Sequence, residues 1–592
     1  MDNISTDKPN DQNKKSLTQE FDLACADLIK EEDFLLSRME QLGYKCSIEK
    51  FLEVIPPIDD DPEIASQILE LQQIGRNLLL HGKKLEATIC IEPAKLHEAV
   101  NAVEDLLIRH REKNIYQRAG KLVRVANVSF IPQEKSAPIK RRARDTAIIK
   151  EIDQVHLTLL LTELGNFVRL GTKDDTRKID CPEKIARCLL AKQEWKLPIL
   201  VGIINTPTLR EDGSILDNPG YDENSGMLFI PGDCDFEKIP EYPTYEDALV
   251  AKDLLLNLIK DFPFEDEVSK SVSITAILTA LIRKSIPTAP LFGFTAPKMA
   301  SGKSLLADVA ALITTGKPNS VIAQADSEAE EKKRIMAILM EGDPIVCYDN
   351  VERPFGSASL CAILTQREYK DRLLGGNETR TVLTNATFLA TGNNLTFMGD
   401  ISTRTLLCKI DPQVERPEER SFRENLYLHI PTHRAALVRA ALIILRAYHV
   451  AGLPKIDVSP FGRFEAWSNW VRSAVIWIGL ADPCESRKEI EDADPIRNTL
   501  EILFSSWYEI FNEQSIKVKE LACHALTSMD ETSKELKDVL CELAPDRKEE
   551  INSRILAKKF ASFKNRIENG FRLEQMEKNQ GTFLWRVRKI NK

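Results

Sequence analysis

The stretch Pro297-Lys298-Met299-Ala300-Ser301-Gly302-Lys303-Ser304 decides the fold of the central part of this chain. The apolar residues 289–294 precede it, and residues 305–312 follow it with the spacing of a helix. A strand, a loop and a helix in this order can bind phosphate, because loop N–H groups and the helix N-terminus converge on phosphate oxygens. The sequence therefore predicts a nucleotide site formed by Pro297, Ser301, Gly302, Lys303, Ser304 and Leu305. Lys303 would contact the β- and γ-phosphates, and the Ser304 hydroxyl would bind Mg²⁺.

The loop departs from the usual glycine pattern at its first position, which is Pro297. Proline can hold a turn but cannot donate an N–H. That end of the loop must be built differently, and the companion motifs have to support the interpretation.

A short apolar strand ending in an acid, residues 344–350, is the first companion motif. Asp349 stands where the second Mg²⁺ ligand is expected. Asn350 follows it, at a position that often holds a glutamate; its amide can position the attacking water but cannot accept the proton. Glu352 is the alternative acceptor and ranks behind, because on an extended strand it would share a face with Asn350 and not with Asp349. A buried strand that merely ends in Asp is the other interpretation.

A third strand, residues 386–390, leads into Asn393, which we expect to sense the γ-phosphate, with Asn394 as the alternative. Arg404 lies beyond it, at the start of another strand. An arginine so placed cannot easily reach its own nucleotide, but it can act as an arginine finger in a neighbouring subunit. The active protein would then be a ring; the alternative is an ordinary salt bridge with Asp400.

Residues 293–411 resemble the ATPase core of superfamily 3 helicases, within the AAA+ class. They are more similar still to phage- and plasmid-type primase-helicase proteins of bacterial mobile elements. The similar stretches are residues 288–292, 349–354, 390–394 and 411–417, together with an upstream block at residues 202–214 that continues to residues 219–222. The likeness covers the chain from about residue 85 onward and is strongest over residues 195–480.

This resemblance implies ATP hydrolysis with Mg²⁺ by a hexameric ring on single-stranded or forked DNA, during replication of a mobile genetic element. Relatives often carry two arginines at the finger position, whereas this chain has Thr403 followed by Arg404.

The primase part of such proteins is not expected in this chain. The sequence has no Cys-x-x-Cys pair or His/Cys cluster that could bind zinc. The acidic run at residues 59–61 is flanked by prolines and predicts a solvated loop, not carboxylates converging on Mg²⁺. A separate primase is therefore one expected partner.

Composition indicates an ordinary soluble protein, with 43% hydrophobic and 29% charged residues among 592. Twelve scattered cysteines favour reduced thiols and a cytoplasmic location. The sequence predicts no signal peptide and no membrane span. The net charge is −10, but residues 551–592 hold eleven Lys and Arg against three Glu, a local net charge of +8.

Three basic segments are candidate DNA contacts. The C-terminal segment predicts a helix followed by a hairpin, as in a winged helix, with contacts from Lys558, Lys559, Lys564, Arg566, Arg586 and Arg588. A basic turn at residues 368–380 would contribute Lys370, Arg372 and Arg380, and in superfamily 3 relatives a hairpin near this place enters the ring channel. The third is the cluster at residues 140–144. The alternatives are a solvated helix and hairpin packed on the ATPase, a surface loop, and a solvated charge run.

We predict an α/β fold: a P-loop AAA+ ATPase core with a helical lid, an α+β N-terminal region and a C-terminal winged-helix-like domain. The expected ranges are a disordered tail (1–20), a helical region (21–118), a mixed α/β region (119–237), the ATPase core with leading helices (238–412), a lid and linker (413–490) and the winged-helix-like domain (491–592). Arg434 and Arg439 of the lid are candidate nucleotide sensors. The aromatic residues of 464–480 are expected to be core.

The predicted function is an ATP-dependent DNA helicase or translocase. Pro297 and Asn350 keep open a nucleotide-switched DNA-binding initiator without processive unwinding. A non-catalytic interaction module would require the ATPase to be inactive.

Overall fold

The computed structural model describes residues 35–39, 68, 71–72, 88–128, 146–170, 176–372, 379–420, 423–493, 495–544 and 551–590. The predicted tail, most of the helical region before residue 88, the basic cluster 140–144 and the tip of the turn at 375–377 lie outside them.

Strands and helices are mixed along the chain. Up to residue 230 they are β1 (Thr88–Ile91), α1 (Leu96–Arg109), β2 (Ile115–Arg118), β3 (Lys121–Val128), β4 (Thr146–Glu151), α2 (Gln154–Leu164), β5 (Asn166–Leu170), β6 (Thr176–Ile179), α3 (Glu183–Lys192), β7 (Gly202–Ile204), β8 (Thr208–Leu209), β9 (Ile215–Leu216), β10 (Gly220–Asp222) and β11 (Met227–Phe229). The central part contains α4 (Tyr245–Leu258), α5 (Glu267–Ile282), β12 (Leu291–Ala296), α6 (Lys303–Thr315), β13 (Ser320–Ile322), α7 (Glu328–Glu341), β14 (Ile345–Tyr348), α8 (Ala358–Thr365), β15 (Glu368–Arg372), β16 (Thr379–Leu383), β17 (Thr387–Asn393) and β18 (Thr405–Lys409).

The last part is mainly helical. It contains α9 (Leu426–Val450), α10 (Glu465–Trp467), a π turn (Ser468–Arg472), α11 (Ser473–Trp477), α12 (Arg487–Asp492), α13 (Pro495–Phe511), β19 (Ile516–Lys517), α14 (Val518–Thr527), α15 (Glu531–Leu543), α16 (Ser553–Ser562), β20 (Ile567–Glu568), β21 (Phe571–Asn579) and β22 (Thr582–Lys589).

The chain forms two compact units, one from residues 1–115 and 152–197 and the other from 116–151 and 198–592. This division differs from the six predicted ranges, because residues 152–197 group with the first unit. In the first unit, β5 pairs with β1 in parallel and with β6 antiparallel. The buried apolar faces of α1, α2 and α3 supply its core.

A five-stranded parallel sheet organises the second unit, in the order β13-β14-β17-β12-β18. Every residue of β12 and β14 is buried, as expected for parallel strands covered on both faces. Because the strands are parallel, the segments that follow β12, β14 and β17 emerge side by side at one edge. That edge is where ligands bind in open α/β sheets.

The long helix α9 packs on α4 and α6. By length and composition it is the one described helix able to cross a membrane, with a mean hydropathy of 1.2 over its most apolar stretch, of which 56% is buried. Its environment is that of a core helix. The aromatic residues Phe464 and Trp467 are fully buried, as expected of core residues, whereas Trp470 and Trp477 are partly buried against the same core.

Residues beyond 495 form a separate core around Trp507, Phe560 and Trp585. A four-stranded sheet, in the order β19-β22-β21-β20, backs the helices. The element order is helix, strand, two helices, helix and hairpin.

Candidate nucleotide-binding site

The loop between β12 and α6 is wrapped around its own lysine. Ala300 (φ 57°) and Gly302 (φ 100°) adopt left-handed conformations that turn the backbone into the helix. The Ser301 hydroxyl donates to the Lys298 carbonyl at 2.7 Å, and Lys303 Nζ donates to the same carbonyl at 2.9 Å. The loop is therefore closed over the lysine. Pro297 is exposed at the start of the loop, and Leu305 is half-buried in the first turn of α6.

Lys303 also contacts the tip of β17. Its Nζ donates to Asn393 Oδ1 at 2.7 Å. Burial lowers the pKa of Lys303, and the Asp349 carboxylate opposes that shift. Asn394, the alternative to Asn393, turns away in a left-handed conformation (φ 45°), and its N–H donates to the Ala296 carbonyl.

Ser304 and Asp349 form the second contact of the site. The Ser304 hydroxyl donates to Asp349 Oδ1 at 2.9 Å. A hydroxyl and a carboxylate are the oxygen ligands that Mg²⁺ prefers, so these two residues fit a magnesium ion. Among the described residues, no three His, Cys, Asp or Glu side chains form a metal-binding group of their own.

Thr391, for which the sequence predicts no role, connects β17 with Asp349 at the end of β14. Its hydroxyl donates to Asp349 Oδ1 at 2.5 Å and accepts the Asn350 N–H at 3.2 Å. The sequence does hold a signal for this role, because Thr391 stands between the apolar residues 386–390 and the asparagines Asn393 and Asn394. The side chain fixes both the carboxylate and the backbone that follows it.

Asn350 and Glu352 lie together. Asn350 is left-handed (φ 54°), and its Nδ2 donates to Glu352 Oε1 at 2.9 Å. Glu352 ranks behind Asn350 only if the backbone is extended at Asn350. The backbone turns at this residue, so that reason does not hold. Glu352 itself is exposed.

Arg404 is not brought to these residues. Its NH1 donates to the Cys361 carbonyl at 2.8 Å, and its NH2 lies 3.4 Å from Asp400 Oδ2. The ion pair with Asp400, the alternative interpretation of Arg404, is thus present, and the Arg404 side chain is 22% exposed.

The two lid arginines lie elsewhere, which corrects their assignment as nucleotide sensors. Arg434 is buried and donates to the carbonyls of Ile313 and Thr314, at the end of α6 opposite the loop. Arg439 donates to the Lys238 carbonyl at 3.2 Å. The contact of α9 nearer to the site is that of Tyr427, whose hydroxyl donates to Asp308 Oδ2 at 2.7 Å.

The basic turn is an antiparallel hairpin, β15–β16, and its two faces separate the candidate DNA contacts. Lys370 and Arg372 are exposed. Arg380 is buried and pairs with Glu151 at 3.1 Å, which removes it from the surface. The prediction for Arg380 is therefore wrong, because alternate residues of a strand face opposite sides.

The basic C-terminal residues differ in availability. Lys558, Lys559 and Arg588 are exposed. Lys564 is exposed with its Nζ 2.9 Å from Gln575 Oε1. Arg566 and Arg586 are half-buried and paired with Glu568 at 2.7 Å and Glu574 at 2.7 Å, respectively.

No protein-family model matches this sequence, and no curated protein has significant sequence similarity to it. Among solved structures, it is similar to the NrS-1 C-terminal region, at 15% identity over 74% of this chain and 100% of that one, with a TM-score of 0.31. A second structure of that region, residues 305–718, gives 13% identity over 83% and 99%, with a TM-score of 0.35. The JCV helicase gives 14% identity over 43% and 74%, with a TM-score of 0.20. These TM-scores are low, and the function proposed below rests on the residues of this chain.

Proposed function

We propose that this protein is an ATP-dependent DNA helicase or translocase of the superfamily 3, AAA+ type, acting in replication of a mobile genetic element. One observation carries the proposal: the pairs Lys303–Asn393 and Ser304–Asp349 meet at one edge of the parallel sheet. A lysine, a hydroxyl, a carboxylate and an amide there are the groups that a phosphate-loop ATPase needs.

Lys303 would bind the β- and γ-phosphates of ATP. It now donates to two neutral acceptors, the Lys298 carbonyl and Asn393 Oδ1. Phosphate oxygens offer it a stronger, charge-assisted hydrogen bond. Released from the lysine, the Asn393 amide is available to the γ-phosphate and to the attacking water.

Ser304 and Asp349 would hold Mg²⁺, which neutralises charge on the phosphates when it is bound. Thr391 orients Asp349 for this task. Asn350 then positions the attacking water, and we assign acceptance of its proton to Glu352, the carboxylate held against the Asn350 amide.

Arg404 would act on the nucleotide of a neighbouring subunit in a hexameric ring. To do so it exchanges its neutral and exposed partners, the Cys361 carbonyl and Asp400, for a phosphate. The ion pair with the exposed Asp400 contributes little to stability, so giving it up costs little.

DNA would be bound by the exposed face of β15–β16, through Lys370 and Arg372, and by the basic C-terminal part. There the order of one helix, one strand, three helices and a hairpin supports a winged helix with α16 toward the DNA, through Lys558 and Lys559. Arg566 and Arg586 would first have to leave their glutamates, so we rank them below the exposed residues.

The test is ATP turnover by the wild type and by Lys303→Ala, with and without single-stranded DNA, over a salt series. We expect turnover that DNA stimulates, that is lost in the variant, and whose stimulation fades as salt rises. Turnover that persists in Lys303→Ala would contradict the proposal.

A second candidate is a nucleotide-switched initiator or remodelling platform. It is favoured by Asn350, which stands where an acid is usual, and by Pro297 in the loop. Nucleotide-dependent assembly without turnover or strand separation would select it over the motor.

A further inference from the structure

A cavity of about 320 Å³ lies in the second unit, away from the candidate nucleotide site. Polar residues on its wall are Arg210, Asn224, Ser225, Lys284, Arg367 and Asn385. Two of its sides come from the upstream block around residues 202–225 and from the base of the β15–β16 hairpin. The proposed function leaves that upstream block unexplained.

Lys284 is the unusual residue of this wall. It follows α5, in the short 3₁₀ turn Arg283–Ser285. Its Nζ is buried and has no hydrogen-bond acceptor among the described residues. The side chain lies over Gly202, where a Cβ atom would stand 2.8 Å from Nζ. The glycine therefore makes room for the amine.

Two arginines lie beside Lys284, and their hydrogen bonds are to neutral carbonyls. Arg283 donates to Ala386 O at 3.0 Å, to Ile286 O at 2.7 Å and to Thr384 O. Arg118 donates to Val201 O at 2.7 Å and Leu339 O at 3.0 Å. These carbonyls satisfy the N–H groups but do not neutralise the charges.

The position is therefore unfavourable for a protonated amine. Burial first, and then Arg118 and Arg283, lower the pKa of Lys284 to about 7, and Asp343 opposes the shift. Lys284 lines the cavity, and an oxyanion there that the amine reached by a change of side-chain rotamer would supply both the missing acceptor and the missing negative charge.

We propose that this cavity binds a phosphate-type oxyanion through Lys284, with Arg367, Asn224 and Asn385 as further donors. Arg210 is already held by Asp222, at 3.0 and 2.8 Å, and serves as a fixed part of the wall. Glu211 and Asp212 also line the cavity. Their charges oppose an anion, so binding depends on the protonation of Lys284.

The hairpin indicates where the phosphate comes from. Arg367 directly precedes β15, and Asn385 follows β16. Lys370 stands three residues beyond Arg367, about 10 Å along a strand. Residues three apart on a strand face opposite sides, so a DNA backbone would have to pass from the Lys370 face around the base of the hairpin to bring a further phosphate to Arg367 and the cavity. This DNA source rests on the proposed function, whereas the oxyanion site does not; a free phosphate is the other source of the same chemistry.

The site should bind its anion more tightly at lower pH. The charged groups around Lys284 are Arg118, Arg283, Arg210, Arg367, Asp343, Glu211 and Asp212. Burial also lowers the pKa of Arg118 to about 10 and that of Arg283 to about 9. Between pH 6.5 and 8.5 the charge of Lys284 therefore changes more than that of either arginine. Above about pH 7, affinity for an oligonucleotide, whose phosphodiesters do not titrate in this range, should fall up to about tenfold for each pH unit.

The test uses the full chain carrying Lys303→Ala, so that the lysine of the nucleotide site is absent throughout. Lys284→Met keeps the length of the side chain and removes the charge. Gly202→Ala keeps the lysine and displaces its amine. Lys534→Met, at an exposed lysine of α15, is the matched control. The probes are a fluorescein-labelled oligo-dT, followed by anisotropy, and inorganic phosphate, followed by the shift in Tm, between pH 6.5 and 8.5.

We expect Lys284→Met to weaken binding about tenfold at pH 6.5 and to flatten the pH dependence of binding. Gly202→Ala should have a smaller effect of the same kind. Lys534→Met should change neither the affinity nor its pH dependence. Loss of oligo-dT binding identifies DNA as the source, and loss of the phosphate response alone identifies a free phosphate. The inference is overturned if Lys284→Met leaves both responses unchanged, or if neither probe binds. Absence of ATP turnover in the wild type, with the Lys284 effect intact, would reject the proposed function and keep this site.

Discussion

Lys303 Nζ donates to Asn393 Oδ1 at 2.7 Å, across 90 positions of sequence. The contact joins the loop after β12 to the tip of β17, the adjacent strand of the sheet. It holds the amide at the place where the phosphates are expected, and it gives the lysine a neutral partner that a phosphate can replace.

Asn393→Ala should therefore reduce ATP turnover strongly and nucleotide affinity little. Loss of one oriented polar group at a reaction centre lowers kcat by about 10²–10³-fold. Steady-state turnover and equilibrium binding of a fluorescent nucleotide would measure the two effects. Asn394→Ala is the control; an equal loss in both variants would argue against Asn393 as the sensor.

Thr391→Val should lower turnover because the hydroxyl no longer holds Asp349 and the Asn350 N–H. The substitution leaves the partly buried Asn350 N–H without its acceptor, which costs about 1 kcal/mol of stability. Thr391→Ser keeps the hydroxyl and should restore most of the activity. Thermal unfolding would measure the loss of stability, and the Mg²⁺ dependence of turnover would measure the effect on Asp349. A Thr391→Val variant with unchanged Mg²⁺ dependence would exclude the positioning role.

Glu352→Gln should abolish turnover while ATP still binds and assembles the protein. The amide keeps the size of the side chain but cannot take the proton from water. Asn350→Asp is an informative second substitution, because an acid at position 350 should restore part of the turnover when it is added to Glu352→Gln. If Glu352→Gln hydrolyses ATP at the wild-type rate, proton acceptance must lie with another group.

Arg404→Ala and Lys303→Ala should each be inactive alone and recover turnover when mixed. In a mixed ring, some interfaces combine the intact lysine of one subunit with the intact Arg404 of the next. Turnover against mixing ratio is the measurement. Arg416→Ala, at an exposed arginine paired with Glu419 at 3.0 Å, is the control. Inactivity at every ratio would indicate that Arg404 does not act in trans.

Lys284→Met should stabilise the fold near pH 7, by about 2 kcal/mol, because it removes a buried amine without a hydrogen-bond acceptor. The pKa of Lys284 is lowered from 10.5 to about 7. Between these values the unfolded chain binds a proton that the folded chain does not, so wild-type stability rises with pH across this window. The advantage of the variant should shrink toward pH 10.

Denaturant unfolding at pH 7, 8.5 and 10 would measure this effect. Lys534→Met provides the reference for a lysine on the surface. A constant difference between wild type and Lys284→Met over this range would show that the amine does not titrate as described.

The local sequence determined the elements of the candidate site and the residue types that they carry. The strand before residue 297, the helix that begins at Lys303, and the polar residues after β14 and β17 lie where the pattern indicated. Such patterns are readable because backbone periodicity and loop chemistry depend on residues a few positions apart.

Only the tertiary structure decided which side chains meet. Thr391 reaches Asp349 because β14 and β17 are neighbours in the sheet, and Glu352 reaches Asn350 because the backbone turns at Asn350. Arg380 is lost to Glu151, 229 positions away, and the buried Lys284 is defined by Arg118 and Gly202 from distant segments. The order of strands and the packing of remote elements set these contacts, and neither is encoded in any short stretch of the chain.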